Sequence, residues 1–167
     1  MSGRAGPGKG DRTVPPDFDV FYRTEYGAVL GLAIAMTGDR AAAEELVQDA
    51  FEAALRKWPL VGQMDKPGAW VRRVVSNRSV SAYRRLRTRT KYLTGANTEE
   101  AITGFPEEAV EVVVTIRQLP RRQAQALWLR YFDDLPVSEV ASIMGCGQET
   151  VKTHLTRGLA RLKEALG

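Results

Sequence analysis

Along most of this chain apolar residues return every three or four positions, and no stretch shows the two-residue alternation of a half-buried strand. Phe18, Phe21, Tyr22, Tyr26, Val29, Leu30, Ala33 and Ile34 trace one such stripe and predict a helix reaching about Thr37. Gly38 supplies its stop, and Asp39 is placed to cap the next helix. That second helix, expected to run to Trp58 and to end at Pro59, carries Leu46, Val47, Ala50, Phe51, Ala54, Leu55 and Trp58 on one side. Glu44, Glu45, Gln48, Asp49 and Glu52 line its other side. Leu60 to Gly68, with two glycines and Pro67, reads as a connection. A third long helix is expected over Ala69–Lys91. At about 100° per residue, Trp70, Val71, Val74, Val75, Ala82 and Leu86 fall on its inner side, and Arg72, Arg73, Ser76, Asn77, Arg84 and Arg87 fall outward.

The pattern lapses from Tyr92 to Pro106, a polar, glycine-bearing stretch that suits a linker. It resumes with a helix over Glu107–Gln118, whose acidic first turn suits a helix N-terminus, and breaks at Leu119-Pro120. The next helix is expected over Arg121–Phe132, with Ala124, Leu127, Trp128 and Tyr131 toward a core. The last stretch reads as a helix-turn-helix. Ala141 is the small residue where the helices approach, Gly145 the turn residue and Val151 the apolar anchor of the second helix, with Val140, Met144 and Cys146 in the apolar positions between. Gly147 is the expected N-cap. Val151, Leu155, Leu159 and Leu162 share an arc of about 80° on that helix, leaving Thr150, Lys152, Thr153, Thr156, Arg157 and Arg161 outward.

These elements predict an all-α protein of two small helical domains. The expected division is a leader over 1–16 rich in Gly and Pro, a first domain over 17–91, a flexible linker over 92–106 and a helix-turn-helix domain over 107–167. For 167 residues with 44% hydrophobic and 26% charged positions, this is the composition of a globular protein. A single cysteine and a single histidine, Cys146 and His154, exclude a Cys/His metal constellation and an internal disulfide. Cys146 is expected as a small buried apolar residue, and His154 as a polar bystander or a phosphate neighbour rather than a ligand. No apolar run reaches the ~20 residues that span a bilayer, and the chain reads as cytoplasmic. No paired carboxylates, phosphate-cradling glycine loop or Ser/His/Asp set suggests an enzyme, and no cofactor is implied.

Charge sharpens this picture through its distribution. The net charge is only +4, yet Ala69–Lys91 holds eight Lys or Arg residues and no carboxylate. A helix with an apolar stripe and an unneutralised basic face fits a polyanion, although a basic face can also be merely solvated. A recognition helix whose first half is rich in hydroxyls and cations suits the major groove. Two separate surfaces suited to nucleic acid favour a nucleic-acid protein over a solvated face.

The order DRAAAEELVQDAFEAALRKW, KPGAWVRRVVSNRSVSAYRR, a linker, then LPRRQAQALWLRYFDDLPVSEVASIMGCGQETVKTHLTRGLARLKEAL resembles the extracytoplasmic-function (group IV) sigma factors of bacterial RNA polymerase, in particular the actinobacterial SigE-family, over about Asp17 to Leu166. The resemblance implies a protein that binds core RNA polymerase and directs promoter-specific initiation without chemistry of its own. It places polymerase contacts on the helix over Asp39–Trp58, at Leu46, Gln48, Asp49, Phe51 and Glu52. It places capture of the minus-ten strand on the basic helix, with Arg72 and Asn77 at base and backbone contacts, Arg73, Arg84 and Arg87 on phosphates, and the Gln63–Gly68 loop as a pocket for an extruded base. It places minus-thirty-five reading at Lys152, Thr153, Thr156 and Arg157, with Arg121 and Arg122 on flanking phosphates. Thr156 departs from the bulkier residue of some members. Promoter DNA and core polymerase are the implied partners, with an anti-sigma factor as a further candidate. A stand-alone helix-turn-helix regulator is the alternative, but it leaves the helix over Glu44–Trp58 without a role.

Overall fold

The computed structural model describes residues 16–89 and 104–167, with side chains described over 17–79 and 104–167. Among these residues the fold is all α, as the periodicity predicts, and no strand occurs. In the N-terminal half α1 spans Pro16–Thr37, α2 Arg40–Arg56, α3 Trp58–Val61 and α4 Pro67–Arg89. In the C-terminal half α5 spans Glu107–Gln118, α6 Arg121–Leu127, a π-helical turn Trp128–Phe132, α7 Val137–Met144 and α8 Gln148–Leu166. The expected linker residues up to 103 lie outside the described residues.

Local chemistry accounts for most boundaries. Gly38 leaves α1 with φ 70°, a conformation that costs glycine little, and its N–H donates to the Ile34 carbonyl at 2.8 Å. Asp39 caps α2, its carboxylate accepting from the N–H groups of Ala41 and Ala42 at 2.9 and 3.4 Å. Two expected boundaries are corrected. α2 ends at Arg56 rather than at Trp58, and Pro59 sits in the first turn of the short α3, where its missing N–H leaves nothing unsatisfied. For the same reason Pro67 opens α4 two residues earlier than expected.

The expected helix over Arg121–Phe132 is also interrupted. After Leu127 the chain widens by one residue per turn, with the Asp133 N–H donating to the Trp128 carbonyl at 3.1 Å. The extra residue rotates the following side chains. Trp128 and Leu129 stay buried, whereas Tyr131, expected toward the core, is 54% exposed. Asp134, at φ 52°, closes the turn. In α8, Val151 and Leu155 are buried as the stripe predicts, but Leu159 is exposed. Gly158 takes the inner place instead, because a Cβ there would meet Leu127 Cδ1 at 2.9 Å. Cys146 is only half-buried, so it too departs from its expected place.

One core joins the two halves. Every residue from Val29 to Thr37 is buried, so this end of α1 has no solvent face. Helices of both halves cover it: α2 and α4 from the first, and α5, α6 and the π turn from the second. Gly31 makes the close approach, since a Cβ there would stand 2.8 Å from Trp128 Cζ2. The indole, 3% exposed, is flanked by Phe132 in a parallel stack at 4.1 Å and by Phe105 edge-on at 5.7 Å.

This contact makes a definite prediction. Gly31→Ala overpacks the interface and should destabilise the chain by about 1–3 kcal/mol, seen as a lower thermal midpoint with a red-shifted tryptophan emission. An unchanged midpoint would show that Trp128 does not rest on α1 in solution.

Candidate nucleic-acid interface

α2 is held to the core by Ala43, Leu46, Val47, Ala50, Phe51, Ala53 and Ala54, and it presents Glu44, Glu45, Gln48, Asp49 and Glu52 to solvent. Phe51 lies edge-on to Phe21 and Tyr22 at 5.7 and 4.9 Å between centroids. Of the polymerase-contact candidates, Gln48, Asp49 and Glu52 are therefore available at the surface. Leu46 and Phe51, at 6% and 2% exposure, are not; they anchor the helix that carries the others. The wheel alone could not separate a contact from its anchor, because both lie on adjoining arcs.

On α4, Arg73, Asn77 and Arg78 are exposed, and Val71 and Val75 are buried, as expected. Arg72 and Ser76 correct the expected outward face, for they are 8% and 5% exposed. One turn apart, they lie beneath the C-terminal half. Arg72 Nη1 donates to Glu25 of α1, and its Nε donates to Asp133 after the π turn, each at 2.9 Å. The Asp133 side chain is 2% exposed. Burial pushes its carboxyl above the ordinary carboxylate range, against the pull of the Arg72 charge and hydrogen bond, and Glu25 adds to the upward push. Gly68 lies tight against the same guanidinium, 2.7 Å from Arg72 Nη1 to a Cβ built there. The side chains of Arg84 and Arg87 lie outside the described residues.

The expected connection over Leu60–Gly68 is shorter than the sequence implies, and the expected pocket over Gln63–Gly68 loses Pro67 and Gly68 to α4. Leu60 and Val61 belong to α3 and Pro67 to α4, leaving Gly62–Lys66, all exposed. Lys66 pairs with Glu139 of α7.

On α8 the expected readers Lys152, Thr153, Thr156 and Arg157 all face solvent. The Thr153 and Thr156 hydroxyls donate to the Glu149 and Lys152 carbonyls at 3.0 and 2.9 Å. Their protons are thereby committed to the helix backbone, which leaves the hydroxyl oxygens able to accept. Gly145, at φ 66° and ψ 37°, turns α7 into α8. Of the two arginines expected on flanking phosphates, Arg122 is exposed and Arg121 half-buried. Arg122 Nη2 donates to the Met144 carbonyl at 3.0 Å and so braces the helix-turn-helix. Arg121 donates to the Ser76 carbonyl at 2.9 Å and to the Ser79 hydroxyl, both on α4. A further cation, Arg117, donates to the Gly38 carbonyl across the two halves.

Glu25, Gly31, Trp128 and Asp133 were not legible as partners of these sites. The available signal was the run VLGLAIAM in α1, which is apolar on more than one face and so asks for cover from two sides. No group of His, Cys, Asp and Glu suited to a metal ion occurs among the described residues, and no described helix is long and apolar enough to cross a membrane.

The geometry thus presents an acidic helix, a basic helix and a helix-turn-helix on one core, and comparison with known proteins gives the class. Residues 21–89 match the family model for sigma-70 region 2, and residues 109–162 match that for sigma-70 region 4. The chain belongs to the sigma-70 family of RNA polymerase sigma factors. Its relatives are of the extracytoplasmic-function kind. It is 27% identical over 153 residues to RNA polymerase sigma-E factor of Streptomyces coelicolor, covering 90% of this chain and 86% of that one. It is 27% identical to the ECF RNA polymerase sigma factor SigW of Bacillus subtilis, covering 95% and 91%. The fold is shared with the sigma factor RpoE of Bartonella quintana, solved in complex with the anti-sigma factor NepR, at a TM-score of 0.69, 22% identity and 90% and 96% coverage.

His154 gives this surface an electrostatic reporter. The half-buried imidazole is held below its ordinary pKa by burial first and then by the charges of Arg122 and Arg157. Arg157→Gln removes one of those charges and should move the imidazole titration upward, as followed by NMR; an unmoved titration would separate His154 from the recognition surface.

Proposed function

We propose that this chain, a sigma factor directing promoter-specific initiation by core RNA polymerase, divides the work between its halves over 17–91 and 107–167, with 92–106 as the linker. Gln48, Asp49 and Glu52 of α2 meet the polymerase, and Leu46 and Phe51 hold them in place. Arg73 and Asn77 of α4, with Arg84 and Arg87, take the minus-ten strand, and the Gly62–Lys66 loop flanks an extruded base. Lys152, Thr153, Thr156 and Arg157 read the minus-thirty-five duplex in the major groove. The observation that carries this reading is the simultaneous exposure of both sets, Arg73 with Asn77 and the four outer residues of α8, on helices matched to two different sigma-70 regions.

The division has physical sense. Opening duplex costs ~1.4 kcal/mol per base-pair step, which strand capture and phosphate neutralisation offset. A bidentate base contact from α8 discriminates by ~1–3 kcal/mol. No bond is made or broken by this chain, which works in the cytoplasm and carries no cofactor. Anti-sigma regulation is part of the same proposal, supported by the complex in which the Bartonella relative was solved. A helix-turn-helix regulator acting alone accounts for residues 109–162 but not for the region 2 match.

Run-off transcription with core polymerase and a genomic promoter library tests the whole reading, and a lack of promoter-specific product would refute it. Within that assay Arg157→Ala should lower output about tenfold or more, through loss of ~1–3 kcal/mol of base contact. Asn77→Ala should impair open-complex formation on duplex promoters while sparing a template already opened at the minus-ten region. Equal loss on both templates would remove Asn77 from strand capture.

A further inference from the structure

We propose that Glu149 is a specificity-determining residue of the duplex reader: its carboxylate and the Lys152 ammonium form one acceptor-donor couplet that selects a single G·C pair, in one orientation, within the minus-thirty-five element. The inference rests on the reading of α8 as the major-groove helix and adds a residue to it. α8 holds two carboxylates, Glu149 and Glu164, and only Glu149 lies in the half that carries the proposed readers. It is exposed together with Lys152, Thr153, Thr156 and Arg157. An anion at that end of the helix is repelled by the phosphates bordering the groove, so its place among these residues calls for a compensating contact. Part of that contact is on the helix itself. The Glu149 side chain, 89% exposed, accepts from Lys152 Nζ at 3.1 Å.

This spacing has a counterpart in the groove. In a paired G·C the cytosine N4–H donor and the guanine O6 acceptor are hydrogen-bonded to each other, about 2.7–3.2 Å apart. Set against that edge, Lys152 donates to guanine O6 and N7 while Glu149 accepts from the outer N4 proton of the cytosine. Each side chain keeps its ionic partner and gains a base. The other pairs fit worse. Adenine N6 stands between two acceptors, its own N7 and thymine O4, so a carboxylate aimed at N6 also faces the N7 lone pair. The reversed C·G pair sets ammonium against amine and carboxylate against carbonyl. A lysine alone would tolerate either orientation by swinging on its long stem. Tied to Glu149, it has a fixed neighbour and a fixed sense.

Run-off transcription with core polymerase, from one promoter of the genomic library randomised across its minus-thirty-five element, reads the couplet out as base frequencies. The wild type should enrich G·C at one position by about tenfold over any other pair, the factor that one good base contact supplies. Glu149→Gln exchanges the carboxylate for an amide that pairs with adenine N6 and N7. At that position alone, cytosine should give way to adenine. The double exchange Glu149→Lys with Lys152→Glu should invert the preferred pair there to C·G. A carboxylate that only stabilised the helix N-terminus would change output evenly and leave the frequencies alone. Frequencies unmoved by Glu149→Gln therefore overturn the proposal, as does a wild-type element without such a G·C position. A wild type with no minus-thirty-five preference at all is a different failure: it removes α8 from duplex reading, and the couplet with it.

Discussion

The buried end of α1 is the constraint on which the arrangement depends. From Val29 to Thr37 every residue is buried, and a helix apolar all round has to be covered all round. The N-terminal half covers part of it with α2 and α4. The rest is taken by α5, α6 and the π turn. Gly31 sets how near the second half comes, because the absent side chain is the space that Trp128 fills. The polar contacts across the interface, at Arg72, Arg117 and Arg121, are arranged around that apolar seat.

Apolar seat and polar contacts have different energetic characters. Burying an aromatic or aliphatic side chain contributes about 1.5–3 kcal/mol, and this is the term that holds the halves together. The Arg72 cluster is a poor source of stability by comparison, since desolvating a guanidinium and a carboxylate largely offsets their attraction. Burial pushes the Asp133 carboxyl upward against the pull of Arg72, in keeping with that cost. Such a cluster fixes orientation rather than strength. Trp128 adds to the same picture, because its buried indole N–H has no hydrogen-bond partner among the described residues. The interface is thus apolar at its centre, with a costly ion cluster at its edge.

The π turn links this packing to the surface. By adding one residue to the turn it keeps Trp128 inside, puts Tyr131 outside and delivers Asp133 to Arg72. A regular helix through Phe132 would have set these three residues at other angles. The neighbouring helix-turn-helix is untouched by it, since Gly145 and Arg122 set the angle of α7 to α8 within the C-terminal half. The outer face of α8 is therefore oriented from within the C-terminal half.

What the sequence determined by itself was whatever repeats locally. The three-to-four-residue recurrence of apolar residues marked the long helices, Gly38, Asp39 and Gly145 marked their ends, and the outer residues of α8 were correct because one stripe, Val151 with Leu155, orients that whole helix. Helix periodicity, though, defines only an inner and an outer side, and it assumes one buried side. It misplaced Arg72 and Ser76 because α4 is covered on a second side by residues more than forty positions away. It misplaced Tyr131 because a π turn leaves no periodic trace. It listed Leu46 and Phe51 beside Gln48 and Asp49 because anchor and contact are neighbours on a wheel. Which arginines face solvent and which are held by carboxylates is a matter of how the halves pack, and only the tertiary structure decided it, since that packing turns on the fit of one indole to one missing side chain.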